Sequence, residues 1–435
     1  MIPRRQLLAL VTLLVLSSVV IAIVPGSAPA WWGVVAVVLV IVLADAWAGF
    51  RVNAPQVERD VAGSLSLVTW VDIRLTLQNI RGTRPLTVEV FDHYPDSFAI
   101  RGLPCSARIH ARHYADLSYR ARPMQRGEVR FAGCEMRIAS PLGFWWRRKF
   151  DTTESVVRVY PNYSTISKLL AFEVDNRLQL AGVRLNRRRG EGIEFHQLRD
   201  YREGDMLRSI DWKATARMGR LIAREYQDER DQQIVFMLDA GRRMLAKDGA
   251  LSHFDHVLNA MLLLSYVALR QGDAAGVMTV SDTRRWLPPR KGADAINGLL
   301  NHVYRIQPRP VEIDYVGAAT DLVVRQRRRS LIVILTNVRE EDSEDLRMAT
   351  DLLKRRHLVI LASLRERALD DTLARSVHSF DDAVLFAATN QYLDARRESQ
   401  KLLRAGGVFV EDCLSQELPA AITSRYFAIK RAGIL

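Results

Sequence analysis

The stretch IVFMLDAGRRM, Ile234 to Met244, is an apolar run that ends in a carboxylate, a glycine and two arginines. A short, partly β-branched run closed by Asp-x-Gly is the pattern of a strand buried on both faces and opening into a loop. Working outward, Gly276–Val280, Leu331–Leu335 and Leu358–Leu361 repeat the run, with helical stretches such as Phe254–Arg270 and Ser343–Arg356 between them. Strands alternating with helices predict an α/β domain over 234–435, built on a mostly parallel sheet. A helix at about Asp382–Ala405, a strand at Val408–Val410 and a helix from Gln416 complete it. In such sheets ligands gather at the carboxyl ends of the strands, and Asp239 stands at one.

Upstream the period changes. From Val57 to Tyr160 apolar and polar residues alternate in runs such as Val71–Leu77, Leu86–Phe91, Glu128–Phe131 and Val156–Tyr160. Short alternating strands punctuated by Gly and Pro predict an all-β, sandwich-like domain over 51–165. Ser140-Pro141-Leu142-Gly143-Phe144-Trp145-Trp146 is a turn followed by an aromatic cluster, expected as core and rim packing of that domain. Because Arg147, Arg148 and Lys149 follow, burial among lipid headgroups is the alternative.

Residues 1–50 carry the membrane signal. Leu7–Val24 is uncharged and strongly apolar, just long enough for a hydrocarbon core of about 30 Å. The segment PGSAPA breaks it, and a second apolar run from Trp31 extends through Trp47 and Phe50, taking in Asp45. The expectation is a transmembrane helical hairpin. Arg4 and Arg5 before the first span and Arg51 after the second place both ends in the cytoplasm. The alternative is a signal peptide cleaved after Ala28-Pro29-Ala30, which leaves Trp31–Phe50 as an anchor and sends the remainder outside.

The 435 residues are enough for two or three cores, and the formal net charge is +13. Such a balance suits nucleic acid or an anionic membrane, and charge alone does not choose. Against nucleic acid, the arginines are spread along the chain and mostly accompanied by acids. Cys105, Cys134 and Cys413 are far apart and lack C-x-x-C spacing, which argues against zinc and against a disulfide framework. There is no G-x-x-x-x-G-K-[ST], H-E-x-x-H or G-x-S-x-G motif, so no catalytic set is visible and no enzyme is expected.

Residues 166–233 form a charged connector in which Asp200, Arg202, Glu203, Asp205, Arg208, Asp211 and Arg217 interleave. Asp200, Asp205 and Asp211 could serve a metal-dependent hydrolase, but an arginine within three residues of each favours ion pairing. The expectation is a salt-bridged segment docking one domain on another, with Trp212 as its apolar anchor. His196 has no partner at nucleophile–base spacing.

Within this connector, Arg202-x-Gly204-Asp205-x-x-Arg208-x-Ile210-Asp211-Trp212-Lys213-x-x-Ala216-Arg217 resembles the signature of the domain of unknown function 58 family. The resemblance extends over nearly the whole chain: Pro141-Leu142-Gly143 matches the family's turn, Val157-x-Val159-Tyr160-Pro161 the strand after it, and YFAIKRAGIL its C-terminus. It implies two N-terminal spans, a β-rich region, this connector and a von Willebrand factor A-like, Rossmann-like α/β domain. It also implies a non-enzymatic partner of a MoxR-type AAA+ ATPase in the bacterial inner membrane. Such a partner helps to assemble or remodel envelope or metal-dependent complexes.

A von Willebrand A domain holds Mg²⁺ with an Asp-x-Ser-x-Ser loop, a Thr from a second loop and an Asp from a third. The resemblance maps the first Asp to Asp239, the Ser positions to Gly241 and Arg243, the Thr to Thr320 beside Asp321, and the last Asp to Asn337, next to Thr336. Two hydroxyls and one charge are missing, and Arg243 repels a cation. The expectation is therefore no cofactor; any Mg²⁺ would fall to Asp239 and Thr320. An Arg243 guanidinium could stand in the metal's place against Asp239. Asp239, Gly241, Arg243, Thr320, Asp321 and Asn337 are expected at a partner-recognition face. Arg202, Gly204, Asp205, Arg208, Asp211, Trp212 and Arg217 are expected as interdomain structure. The functional expectation is a membrane-anchored, cytoplasm-facing adaptor for the ATPase. The alternatives are a metal-dependent hydrolase using the connector aspartates and a nucleic-acid-binding membrane protein.

Overall fold

A computed structural model describes residues 1–21, 27–80, 82–162, 194–202, 207–227, 232–292 and 294–434. The chain divides into two compact units, Met1–Tyr160 and Pro161–Leu435.

The first unit opens with β1 (Ile2–Pro3), helix α1 (Arg5–Ile21) and helix α2 (Ala28–Arg51). The strands β2 (Gln56–Asp60), β3 (Ser64–Ser66), β4 (Val71–Gln78), β5 (Leu86–His93), β6 (Phe98–Arg101) and β7 (Cys105–Ile109) come next. They are followed by β8 (Tyr114–Pro123), β9 (Gly127–Phe131), β10 (Gly133–Ala139), β11 (Trp145–Asp151) and β12 (Ser155–Tyr160). Three sheets result, in the orders β1-β11-β10-β5-β7, β2-β4-β8-β6 and β3-β12-β9. Period two decides which side chains go in: Ile73, Leu75 and Leu77 of β4 and Val88 and Val90 of β5 are fully buried, while their neighbours are not.

The same alternation carries Arg59 of β2 and Asp92 of β5 inward, where the four- and five-stranded sheets meet. Arg59 Nε and Nη2 donate to the Asp92 carboxylate at 3.0 and 2.5 Å, and the Tyr119 hydroxyl donates to it at 2.5 Å. Cys134 lies across from Asp92 in the β5–β10 register and donates its thiol at 3.3 Å. Burial, with the Asp92 charge beside it, pushes that thiol up to about 12, so it stays protonated at neutral pH.

Among the described residues one helix, Ala28–Arg51, is long and apolar enough to cross a bilayer. Helix α1 is apolar and shorter, at 17 residues. The expected pair of spans is met by one candidate. The buried residues of α2 are Val42, Asp45 and Gly49, which lie on one helix face. That face meets the Ser140–Trp146 turn, as described below.

In the second unit β13 (Glu194–Asp200) pairs with β14 (Ile222–Gln227), with a short helix, Trp212–Met218, between them. Then come β15 (Gln233–Asp239), the small pair β16 (Lys247–Asp248) and β17 (Leu251–Ser252), and β18 (Ala274–Val280). The remaining strands are β19 (Arg284–Arg290), β20 (Leu331–Thr336), β21 (Leu358–Arg365) and β22 (Phe409–Leu414). The main sheet has the order β19-β18-β15-β20-β21-β22, and only β19 at the edge is antiparallel. Helices His253–Arg270 and Leu418–Ala432 cover one face, and Tyr315–Arg325 and Ser343–Lys354 cover the other. The edge strand was not expected, because Pro288 and Pro289 lie in it; an edge is where a strand can lack those N–H donors. It crosses so close to Gly276 that a Cβ there would sit 2.6 Å from the Pro289 nitrogen.

Burial lowers the proton affinity of His253, His302 and His357 in this unit, and His253 has no hydrogen-bond partner on either ring nitrogen among the described residues. Below the ordinary histidine value of about 6.5 the unfolded chain takes up protons that the folded unit refuses. Stability is therefore whole above that pH and falls as pH drops through it, by up to about 1.4 kcal/mol per pH unit for each withheld proton. Urea midpoints measured from pH 7.5 to 5 should fall, and His253→Phe should flatten the slope.

Candidate functional site

Asp239 ends β15 at the point where the strand order reverses, with β18 on one side and β20 on the other. Open α/β sheets place their ligand crevices at such a switch point. The side chain is 3% exposed. One carboxylate oxygen accepts the Gly241 N–H at 2.7 Å. The other accepts the Thr336 hydroxyl at 2.6 Å and the Tyr315 hydroxyl at 2.9 Å. Burial pushes the Asp239 carboxyl up, opposed by these three donors and by the charge of Arg243. The Tyr315 phenol is likewise driven upward by burial beside that carboxylate.

The loop after Asp239 is roofed by residues 309–313. Arg242 N–H donates to the Val311 carbonyl at 3.0 Å, and Arg309 N–H to the Ala240 carbonyl at 2.9 Å. A Cβ on Gly241 would lie 2.8 Å from both the Val311 oxygen and an Ile313 side-chain carbon, so a serine here would have to displace the roof. Arg243 does not pair with Asp239; it binds Glu341 at 2.9 Å and also Asp342. Arg242 reaches Glu312 at 3.5 Å and Glu341 at 3.7 Å. The narrow cleft that remains is lined by Asp239, Arg242, Val311, Tyr315 and Asp342.

The other expected site residues lie elsewhere. The Thr320 hydroxyl donates to Val316 O within its own helix. Asp321 accepts from Arg284 at 2.9 Å, and the same arginine holds Asp314, the N-cap of that helix, at 2.7 Å. Asn337 turns away from Asp239: its amide donates to Glu366 at 2.6 Å and its carbonyl accepts Arg396 at 2.8 Å. The hydroxyls that reach Asp239 belong to Tyr315, about one and a half helical turns before the expected Thr320, and to Thr336, next to Asn337.

Arg396, 1% exposed, gathers the ends of three strands. Its guanidinium donates to Asn337 and Val338 after β20, to Ser363 and Leu364 of β21, and to Asp412 of β22 at 2.7 Å.

In the connector, Asp211 caps helix Trp212–Met218 by accepting the Ala214 N–H at 2.9 Å, and it accepts Arg224 at 2.9 Å. The backbone N–H, then Arg224, hold its carboxyl below the usual range. Asp200 pairs with Arg220 at 3.1 Å. Trp212, expected as the connector's apolar anchor, opens that helix and is 67% exposed. Leu198, Leu207, Met218 and Leu221 are exposed with it. Arg202 and Arg217 are exposed. Gly204 and Asp205 lie outside the described residues, as does the side chain of Arg208.

Residues 197–401 match the model of a family described as "Protein of unknown function DUF58". The chain is also similar to the uncharacterized protein YeaD of Bacillus subtilis (strain 168), 24% identical over 195 residues. That alignment covers 43% of this chain and 44% of the relative, so the chain spans less than half the length of the protein it matches.

Proposed function

We propose that this chain is a membrane-anchored adaptor working by protein–protein contact, with a degenerate von Willebrand factor A-like second unit and a MoxR-type AAA+ ATPase as partner. One observation carries the reading: Asp239, at the sheet's switch point, already accepts three protein donors under a surface of ion pairs. Where an A domain would hold a cation, this chain offers a closed protein face. A small hard cation wants about six oxygens in an octahedron, and the donors around Asp239 do not fit that need. No metal or other cofactor enters the reading.

The strand order with its antiparallel edge, and helices on both faces, support the A-domain comparison. The ion pairing of Asp200 and Asp211 gives a hydrolase no free carboxylate at either position.

In the same reading α2 anchors the chain in the bacterial inner membrane and α1 lies beside it as the second arm of a hairpin, with the soluble units in the cytoplasm. Support comes from both ends: Arg4 N–H donates to Phe144 O near the end of α2, and Trp31 Nε1 donates to Ser17 Oγ at the other end.

Capture of the tagged full chain from native membranes in mild detergent tests the reading. An AAA+ ATPase should co-purify, and Arg242→Glu on the exposed rim should cut its recovery about tenfold, the equivalent of ~1.4 kcal/mol. Recovery of no ATPase would sink the adaptor; recovery unchanged by the variant would move the contact off this face.

A further inference from the structure

We infer that the Ser140–Trp146 turn, together with the chain's first residues and the end of α2, forms a platform that lies in the headgroup layer of an anionic bilayer. The inference rests on α2 being a membrane span.

The turn is fixed to the helix by polar bonds. Asp45, 2% exposed, accepts the Ser140 hydroxyl at 2.5 Å and the N–H groups of Leu142 and Phe144 at 2.8 and 3.2 Å. Trp145 Nε1 donates to the Val42 carbonyl at 3.1 Å. Arg147 donates to the carbonyls of Phe50 and Val52 at the helix end, where a cation is favoured by the helix dipole. The start of the chain joins from the other side, with Ile2 and Pro3 paired to Trp146 and Trp145. Gly143, at φ +81°, is packed so that a Cβ would lie 2.7 Å from Gln6 Oε1. A turn held this way stays at one depth relative to α2.

That depth follows from the helix. From Ala28 to Asp45 the axis rises about 26 Å, close to the hydrocarbon thickness of about 30 Å. With the start of α2 at one boundary, Asp45 and the turn come to the other. A carboxylate with three donors can sit there, and its partners are the turn itself.

The surface at that level has interfacial chemistry. Leu142 is 58% exposed, Trp47 60% and Phe50 63%. Arg4 stacks over Trp146 at 4.6 Å and Arg51 over Trp47 at 3.7 Å. Tryptophan and arginine together are the composition of the membrane–water boundary, and the cations complement lipid phosphates.

Depth-dependent quenching tests this. In the full chain with Cys105→Ser, the remaining cysteines are buried, so a fluorophore can be placed at Leu142→Cys, at Val37→Cys on α2, or at Val156→Cys on β12. The proteins are reconstituted in phosphatidylcholine alone or with phosphatidylglycerol added. The Val37 label should be quenched from the acyl chains. The Leu142 label should be quenched from the headgroups and shielded several-fold from aqueous iodide relative to Val156, more so with phosphatidylglycerol. Iodide access at Leu142 equal to that at Val156, with Val37 in lipid, would overturn the platform and leave the span. Val37 open to iodide would overturn both. Equal shielding in the two lipids would overturn the anionic preference.

Discussion

Arg396→Met is expected to destabilise the second unit by about 3–5 kcal/mol, the cost of leaving a partly buried carboxylate and four further acceptors without their donor. Asp412 would lose its guanidinium, and Asn337, Ser363 and the carbonyls of Val338 and Leu364 would lose a donor each. That is a large share of the roughly 5–15 kcal/mol by which a folded domain is stable, and corresponds to roughly 6–20 °C in the midpoint. Arg396→Lys keeps the charge but loses the planar fork that spans three strand ends, and should fall between. Thermal unfolding of the three proteins in detergent checks it; a Met variant that melts with the wild type would remove Arg396 as the clamp of this edge.

Arg59→Met should act on the first unit with similar size, about 3–5 kcal/mol, because Asp92 is fully buried and Arg59 is its only cation partner among the described residues. The single change strands a charge, whereas Arg59→Met with Asp92→Leu removes both and should recover most of the loss. Cys134 provides a local readout. Its thiol is buried and strongly protonated in the native unit, so alkylation should be negligible in the wild type and rapid in Arg59→Met. Slow alkylation in the single variant would show that the sheets hold without this pair.

The elements were legible where one period ran long enough. Ile234–Leu238, Leu331–Leu335 and the helix from Phe254 lie within β15, β20 and His253–Arg270, because a buried parallel strand and an amphipathic helix each leave a local pattern. The edge strand β19 was hidden by its two prolines, whose cost depends on a position in the sheet that the local sequence does not state. Asp239 was legible because it ends a strand. Its partners Tyr315 and Thr336 were not, since they arrive 76 and 97 residues later and any nearby hydroxyl would serve as well on paper. The buried quartet of Arg59, Asp92, Tyr119 and Cys134 shows the same limit: alternation puts each residue inward, but only the sheet facing brings them together.

The carboxyl edge around Asp239 is lined by the chain's own donors. Whether a cation can compete with those donors is read by calorimetric titration of Mg²⁺ and Mn²⁺ into the full chain in detergent. No saturable heat is expected at sub-millimolar metal. Saturable sub-millimolar binding that disappears in Asp239→Ala would contradict it.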